Sequence, residues 1–207
     1  FFQAPESQLN AREAYRLMAP IFGEGVAYDA TPEAMEEQMG FLFPALRDDR
    51  LRAYARVMED EAEAYVADWA DTGEVELTAA MNELTVFIAS RCLIGEDYRK
   101  QLSTEFAHLY HELEGGINLI AFFNPYLPLP AFRRRDRARV RMVELIGSAV
   151  RDRRARTFGG EDFLGTLMEA RYADGTALGD DLITGLLLAI VFGGQHTSAV
   201  MASWTGV

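Results

Sequence analysis

The sequence predicts an all-α, mainly helical fold, and three observations carry that reading. Apolar side chains recur at helical spacing, Leu51, Tyr54, Met58, Ala62 and Tyr65 in one run, Leu102, Phe106, Leu109, Tyr110 and Leu113 in another. The runs are punctuated as helices are. Thr31-Pro32-Glu33 is a cap, a first-turn proline and an acid, while Gly73, Gly95 and Gly115-Gly116 stand where runs end. Residues 182–207, last, hold no Asp, Glu, Lys or Arg, which marks a helix buried on most of its faces.

Composition sets further bounds. A chain of 207 residues, 49% apolar and 25% charged, is globular and can bury a real core. A net charge of −12 argues against nucleic acid as a partner, because phosphates would repel it. One cysteine excludes an internal disulfide framework and suits a reducing compartment, so a cytoplasmic location is expected. Residues 1–5 carry neither an initiator Met nor a basic-then-apolar signal pattern, and both ends of the chain look cut. Residues 182–207 are long and apolar enough to cross a bilayer, a reading that stays open. Small and polar groups at their midpoint favour a central helix of a soluble domain.

Each element follows in order. Residues 1–18 read as an extended lead-in and a short helix capped by Ser7, which Pro20, Gly23 and Gly25 break into a loop. That loop carries Ile21, Phe22, Val26 and Tyr28, more apolar surface than loops hold unless they line a pocket. The helix opened by Thr31 is expected to meet Pro44, and the next to span residues 48–71. Residues 74–77 alternate briefly, and Thr78 is expected to cap a helix that runs through Ile94. Residues 98–114 form one amphipathic helix. Residues 117–132 are a loop in which Pro125, Pro128 and Pro130 sit among Ile117, Leu119, Ile120, Phe122, Phe123, Tyr126 and Leu127. So greasy a loop calls for a pocket, a membrane surface, another subunit or its own domain as partner. Residues 133–156 hold ten Arg against three acids and read as a solvated helix face, with docking to an anionic surface or to the protein's own acids as alternatives. Asp162 caps a short helix to Tyr172, Asp174-Gly175 make a turn, and Gly179-Asp180 lead into the last helix.

The centre of that last helix reads Phe192-Gly193-Gly194-Gln195-His196-Thr197-Ser198. Each interior glycine costs about 1 kcal/mol of helix propensity, tolerated where something approaches the backbone closely. Gly193 and Thr197 are four apart and share a face, and the Thr hydroxyl could bond the carbonyl one turn back and open the helix. A flat patch with a hydroxyl at its edge and an imidazole beside it suits a planar cofactor. Tight helix packing, with His196 a core histidine, is the alternative.

With Ala199 added, this run resembles the oxygen-activating segment of the central helix in cytochrome P-450 monooxygenases. A His before the Thr is similar to the sterol 14α-demethylase family in particular. Tyr15-Arg16-Leu17-Met18-Ala19-Pro20-Ile21-Phe22-Gly23-Glu24-Gly25-Val26 resembles that family's substrate-covering loop. Leu109-Tyr110-His111-Glu112-Leu113-Glu114, followed by Pro125-Tyr126-Leu127-Pro128, resembles the helix and loop above its substrate channel. The likeness covers nearly the whole chain, in the family's order.

The resemblance implies the distal-side helical portion of the cytochrome P-450 fold, as a single partial haem-monooxygenase domain. Residues 1–30 would be the substrate-covering region, 31–116 helices, 117–132 the apolar loop, 133–179 helices and 180–207 a cut central helix. It implies haem as cofactor, with the axial Cys outside this chain. Cys92 lies in an apolar helical run without a Gly-rich loop, and reads as a packing thiol. Thr197 would hold an ordered water or bound dioxygen for protonation, and His196 would stand in the proton relay. Gly193 and Gly194 would lie over the porphyrin and Tyr15 would donate to a haem propionate. Leu17, Met18, Phe22, Tyr28 and Phe192 would line the sterol cavity. The implied reaction removes the sterol 14α-methyl group with O2 and electrons from a ferredoxin-type or reductase partner. The implied form is soluble and bacterial-like, with peripheral membrane contact open to it and any anchor outside this chain. Leu17 and Tyr28 both stand where family members carry Phe, and Glu36 where a propionate-pairing base is sometimes found.

Rival chemistry is thin. Glu105 and His108 match half of a di-iron Glu-x-x-His pair, which needs a second copy and two more Glu. His108, His111 and Glu112 lack the metalloprotease order and read as a surface pair. A helical lipid-binding module without redox chemistry and a membrane-associated helical protein remain as alternatives.

Overall fold

A computed structural model describes residues 12–101, 104–156 and 162–206. Among these residues there is no strand, only an isolated antiparallel bridge between Arg171 and Ala177. The Ser7 cap lies outside the described residues. A 3-10 turn, Arg16–Met18, runs into the short helix α1 (Ala19–Phe22). Pro20 therefore opens a helix where a break was expected, because a first-turn proline lacks only an N–H that would go unpaired anyway.

Thr31 caps α2 (Pro32–Leu42) as read from the sequence, its hydroxyl accepting from the Ala34 N–H at 3.3 Å. Pro44 sits in the following 3-10 turn, Phe43–Leu46. Helix α3 (Asp48–Val66) stops short of Trp69, and α4 spans Leu77–Leu93. Its cap is Glu76, not Thr78. The Glu76 carboxylate accepts from the N–H groups of Thr78 and Ala79 at 3.3 and 2.6 Å, doing with one charged side chain what a hydroxyl would do more weakly.

The described parts of the run expected as one helix are helical, as α5 (Glu96–Gln101) and α6 (Thr104–Glu114). The greasy loop contains a helix of its own, α7 (Leu119–Phe123), whose cap Asn118 accepts from the N–H groups of Ile120 and Ala121. Five residues are too few to show a period. Pro130 then opens α8 (Pro130–Arg156), so the loop ends earlier than its composition suggested. Asp162 caps α9 (Phe163–Glu169), and α10 (Asp180–Thr205) closes the fold.

Helix α10 is the axis of the domain. Ile183, Leu186, Leu187 and Leu188 are fully buried, among Ile21, Leu113, Met142, Ile146 and Leu164 from α1, α6, α8 and α9. Each such side chain contributes about 1.5–3 kcal/mol of burial. Length and composition would let α10 cross a membrane, but 56% of its most apolar window is buried inside the fold. It is a core helix here.

Two surfaces singled out in the sequence take shape in the fold. The arginines of α8 are largely engaged by the protein's own groups. Arg135 is 1% exposed, Arg153 pairs with Asp162, Arg154 with Asp180, Arg134 with Glu112, and Arg141 with Glu105 and Glu144. Seven of the ten arginines stay exposed, so a solvated face does form, and the acids that pair with it come from α6, the cap of α9, α10 and α8 itself. The loop around α7 is anchored through Ala121, which packs with Leu17 and Phe132, and by Arg135, which donates to the Pro125 carbonyl at 2.9 Å. Leu119 and Phe123 stay 75% and 81% exposed.

Candidate functional site

The site is a cavity of about 1020 Å³ between α1, α2, the end of α6 and one face of α10. Its floor is set by the helical repeat. Leu186, Ala189, Ile190, Gly193, Gly194 and Thr197 fall at three- and four-residue steps on α10, and all line it. Gln195 fixes the rotation of that face. It is 3% exposed on the opposite side and donates to Asn82 and Thr85 of α4 at 3.1–3.4 Å. With Gln195 bound to α4, the glycines and Thr197 must face away from it.

Both glycines are bare. A Cβ built on Gly193 or Gly194 would meet nothing within 4 Å. Among the described residues nothing packs against this pair, and His196 is no core residue, its side chain being 69% exposed. Thr197 differs from its neighbours in the same way. Ser203 and Thr205 donate to carbonyls one turn back, at 2.8 and 2.7 Å. Among the described residues the Thr197 hydroxyl takes no protein partner, so of the options the sequence offered, a direct bond to the Gly193 carbonyl is not made, and α10 runs on as one helix.

The polar groups gather at one edge. His196 Nδ1 lies 3.6 Å from Glu114 Oε1, and His111 is near enough to act on the same carboxyl electrostatically. Burial holds the Glu114 carboxyl above its ordinary range, and the two histidines pull it part of the way back. Tyr110 packs under Phe192 with ring centroids 4.4 Å apart, and burial, helped by the Glu114 charge, pushes its phenol far above the usual value. A carboxyl that takes a proton more readily than usual, beside an imidazole, is suited to passing protons on.

The apolar wall is aromatic and methionine-rich. Phe22 meets Phe192 edge to face at 5.8 Å, and Met18, Met35, Met39 and Leu42 line the side facing α10. Tyr15 and Tyr28 stack at 4.1 Å on the same wall. All the site residues read from the sequence therefore converge on one cavity, except Leu17. It points the other way, 4% exposed, into the small cluster with Ala121 and Phe132. A side chain one position from Met18 on a tight turn faces elsewhere, and linear adjacency concealed that. Sequence reading set Tyr110 and Glu114 on a helix above the channel without a role, and missed Ile117 and the α2 stripe Met35, Met39, Leu42 as lining residues. The i, i+4, i+7 spacing of that stripe was available as a signal.

No cluster among the described residues could hold a metal ion, and His108 and His111 are exposed on α6. Cys92 is buried away from the cavity lining, its thiol pushed up to about 11 by burial, which makes it a packing thiol.

Comparison with known proteins agrees with this geometry. A family model described as Cytochrome P450 matches residues 3–205. Obtusifoliol 14-alpha demethylase of Triticum aestivum is 39% identical over 206 residues, covering all of this chain and 46% of its own. Sterol 14alpha-demethylase of Mycobacterium tuberculosis is 41% identical over 209 residues, covering 99% of this chain and 46% of its own. Lanosterol 14-alpha demethylase of Rattus norvegicus is 40% identical over 207 residues, covering 99% and 41%. The chain thus spans less than half the length of these relatives. Among solved structures, a retinoic acid bound cyanobacterial CYP120A1 superposes with a TM-score of 0.74 at 20% identity, over 86% of this chain and 40% of that one, a likeness of fold.

Proposed function

The chain belongs to the cytochrome P450 family, and from that premise we propose that it forms the distal half of a haem-thiolate monooxygenase that removes the 14α-methyl group of a sterol. The substrate class rests on the relatives at about 40% identity, all of them 14-demethylases. The observation that carries the reading is the bare stripe: two helical glycines with nothing within 4 Å, beside an unpartnered hydroxyl, on the wall of an apolar cavity. A flat cofactor fits such a wall because no side chain stands in its way.

When bound, the haem supplies the binding and reductive activation of dioxygen. The protein's own residues do the rest. Gly193 and Gly194 keep the helix backbone accessible. The Thr197 hydroxyl, unclaimed by the helix, holds a water or a proton donor at the cavity floor. His196 and Glu114 relay protons from solvent to that edge, the imidazole exposed and the carboxyl half-buried. Met18, Phe22, Tyr28 and Phe192 exclude water and shape the sterol space. Tyr15, on the cavity wall, would donate its phenol to a haem propionate. Leu17 braces the turn from behind. Electrons come from a ferredoxin-type or reductase partner.

The test uses the full-length protein. It should show the reduced, CO-bound Soret shift of a thiolate haem and convert a 14α-methyl sterol with consumption of O2. Folded protein with no such shift, or with the shift and no sterol conversion, would reject the cofactor or the substrate class respectively.

We infer a second, smaller role for the α7 loop. Its exposed Leu119, Phe122, Phe123 and Tyr126 suit peripheral contact with a lipid surface. Phe123→Asp should then reduce co-sedimentation with phospholipid vesicles, and an unchanged bound fraction would remove that role.

A further inference from the structure

We propose that Arg139, on α8 and outside the cavity, is a positioning residue that sets which apolar ligands the cavity accepts, by clamping the backbone that carries Phe22. The proposal rests on the apolar-cavity reading above and adds the device that holds the cavity's shape.

The last carbonyls of α1 have no helical partners of their own, because the chain turns away at Gly23, whose φ is +112°. Arg139 reaches them from more than a hundred residues downstream. Its Nε donates to the Ile21 carbonyl at 3.0 Å and its Nη2 to the Phe22 carbonyl at 3.4 Å. A Cβ at Gly23 would come within 2.8 Å of Nη2, so residue 23 has to be small for the fork to reach. From the other side, a Cβ at Gly185 of α10 would lie 2.6 Å from the same Phe22 carbonyl. The peptide of Phe22 is therefore held between a guanidinium and a helix backbone. Its ring, meanwhile, faces the cavity and meets Phe192 edge-on. Asp181, at the start of α10, supports the guanidinium charge.

A wall fixed from behind cannot reshape itself around each ligand. It favours a rigid polycyclic molecule that matches the fixed shape over a flexible chain that fills any shape. Arginine suits this, since its planar guanidinium presents two donors at a fixed spacing and direction, whereas the donors of an ammonium diverge from one freely turning atom.

The experiment titrates full-length holoprotein optically with two probes, a 14α-methyl sterol and a long-chain saturated fatty acid. Wild type, Arg139→Gln, Arg139→Lys, Phe22→Ala and the Arg139→Gln/Phe22→Ala double variant are compared. Both Arg139 variants should weaken sterol binding about tenfold while fatty-acid binding moves less than about twofold. In the Phe22→Ala background the Arg139 change should have no further effect. Equal weakening of both probes, or additive effects in the double variant, would overturn the clamp. Should Arg139→Gln not fold, Arg139→Lys and its own double with Phe22→Ala decide the question by the same criteria. Wild-type protein that binds neither probe overturns the cavity reading and the clamp with it. Wild-type binding with unshifted selectivity in the variants overturns the clamp alone.

Discussion

Gly185 and the pair Gly193-Gly194 lie about two turns apart on the same helix and are glycine for opposite reasons. At Gly185 a methyl group would strike the Phe22 carbonyl at 2.6 Å and Val26 at 2.9 Å, so the fold itself forbids it. At Gly193 and Gly194 a methyl group would meet nothing within 4 Å. Protein packing explains the first glycine and leaves the second pair unexplained, at a cost of about 1 kcal/mol of helix propensity each. What the pair accommodates lies beyond the described residues, and a bound cofactor is the occupant proposed above. The comparison separates a structural glycine from a functional one without reference to any other sequence.

The widest gap between the two regions should appear in activity. In the full-length enzyme Thr197→Ala, beside the bare pair, should lower product formed per electron consumed by about 10²-fold while leaving the melting temperature near wild type. Full coupling in that variant would break the functional side of the comparison. Gly185→Ala should do the reverse, costing about 1–3 kcal/mol by overpacking, seen as a lowered denaturant midpoint. A midpoint equal to wild type would mean that Phe22 and Val26 yield to the added methyl, and the structural side would fall.

A smaller effect sharpens the boundary between the two. Glu114 is held above its ordinary range by burial, so the folded protein keeps that proton more readily than the unfolded chain. The stability this brings is complete below the ordinary glutamate value of about 4.3. It is lost as pH rises through the raised folded value. Glu114→Gln removes the titration, so its midpoint should gain on wild type between acid and neutral pH. Parallel pH curves for the two proteins would show that burial does not control this carboxyl.

Much of this was legible in the sequence, and the failures have physical causes. The long helices were readable because period and punctuation agreed, as at Thr31-Pro32-Glu33 ahead of α2 and Asp162 ahead of α9. Pro20 and Pro130 were misread because a proline both ends and begins helices, and only the chain that follows decides which. The cavity floor was readable because one helix carries it at fixed spacing. Leu17 was misplaced, and the His196 contact of Glu114 and the Arg139 clamp unseen, because each depends on which way a turn faces or on partners far away in the chain. The α8 arginines show the same limit: composition gave their number, while their partners are set by packing.

The central claim, that Gly193-Gly194 is bare to admit a cofactor and its gas ligand, has a direct measurement. In the full-length protein Gly193→Ala should melt no lower than wild type, and its reduced haem should bind CO about tenfold more slowly, a barrier increase of about 1.4 kcal/mol. A lowered melting temperature with unchanged CO association would place Gly193 with Gly185, as a packing glycine, and contradict the account.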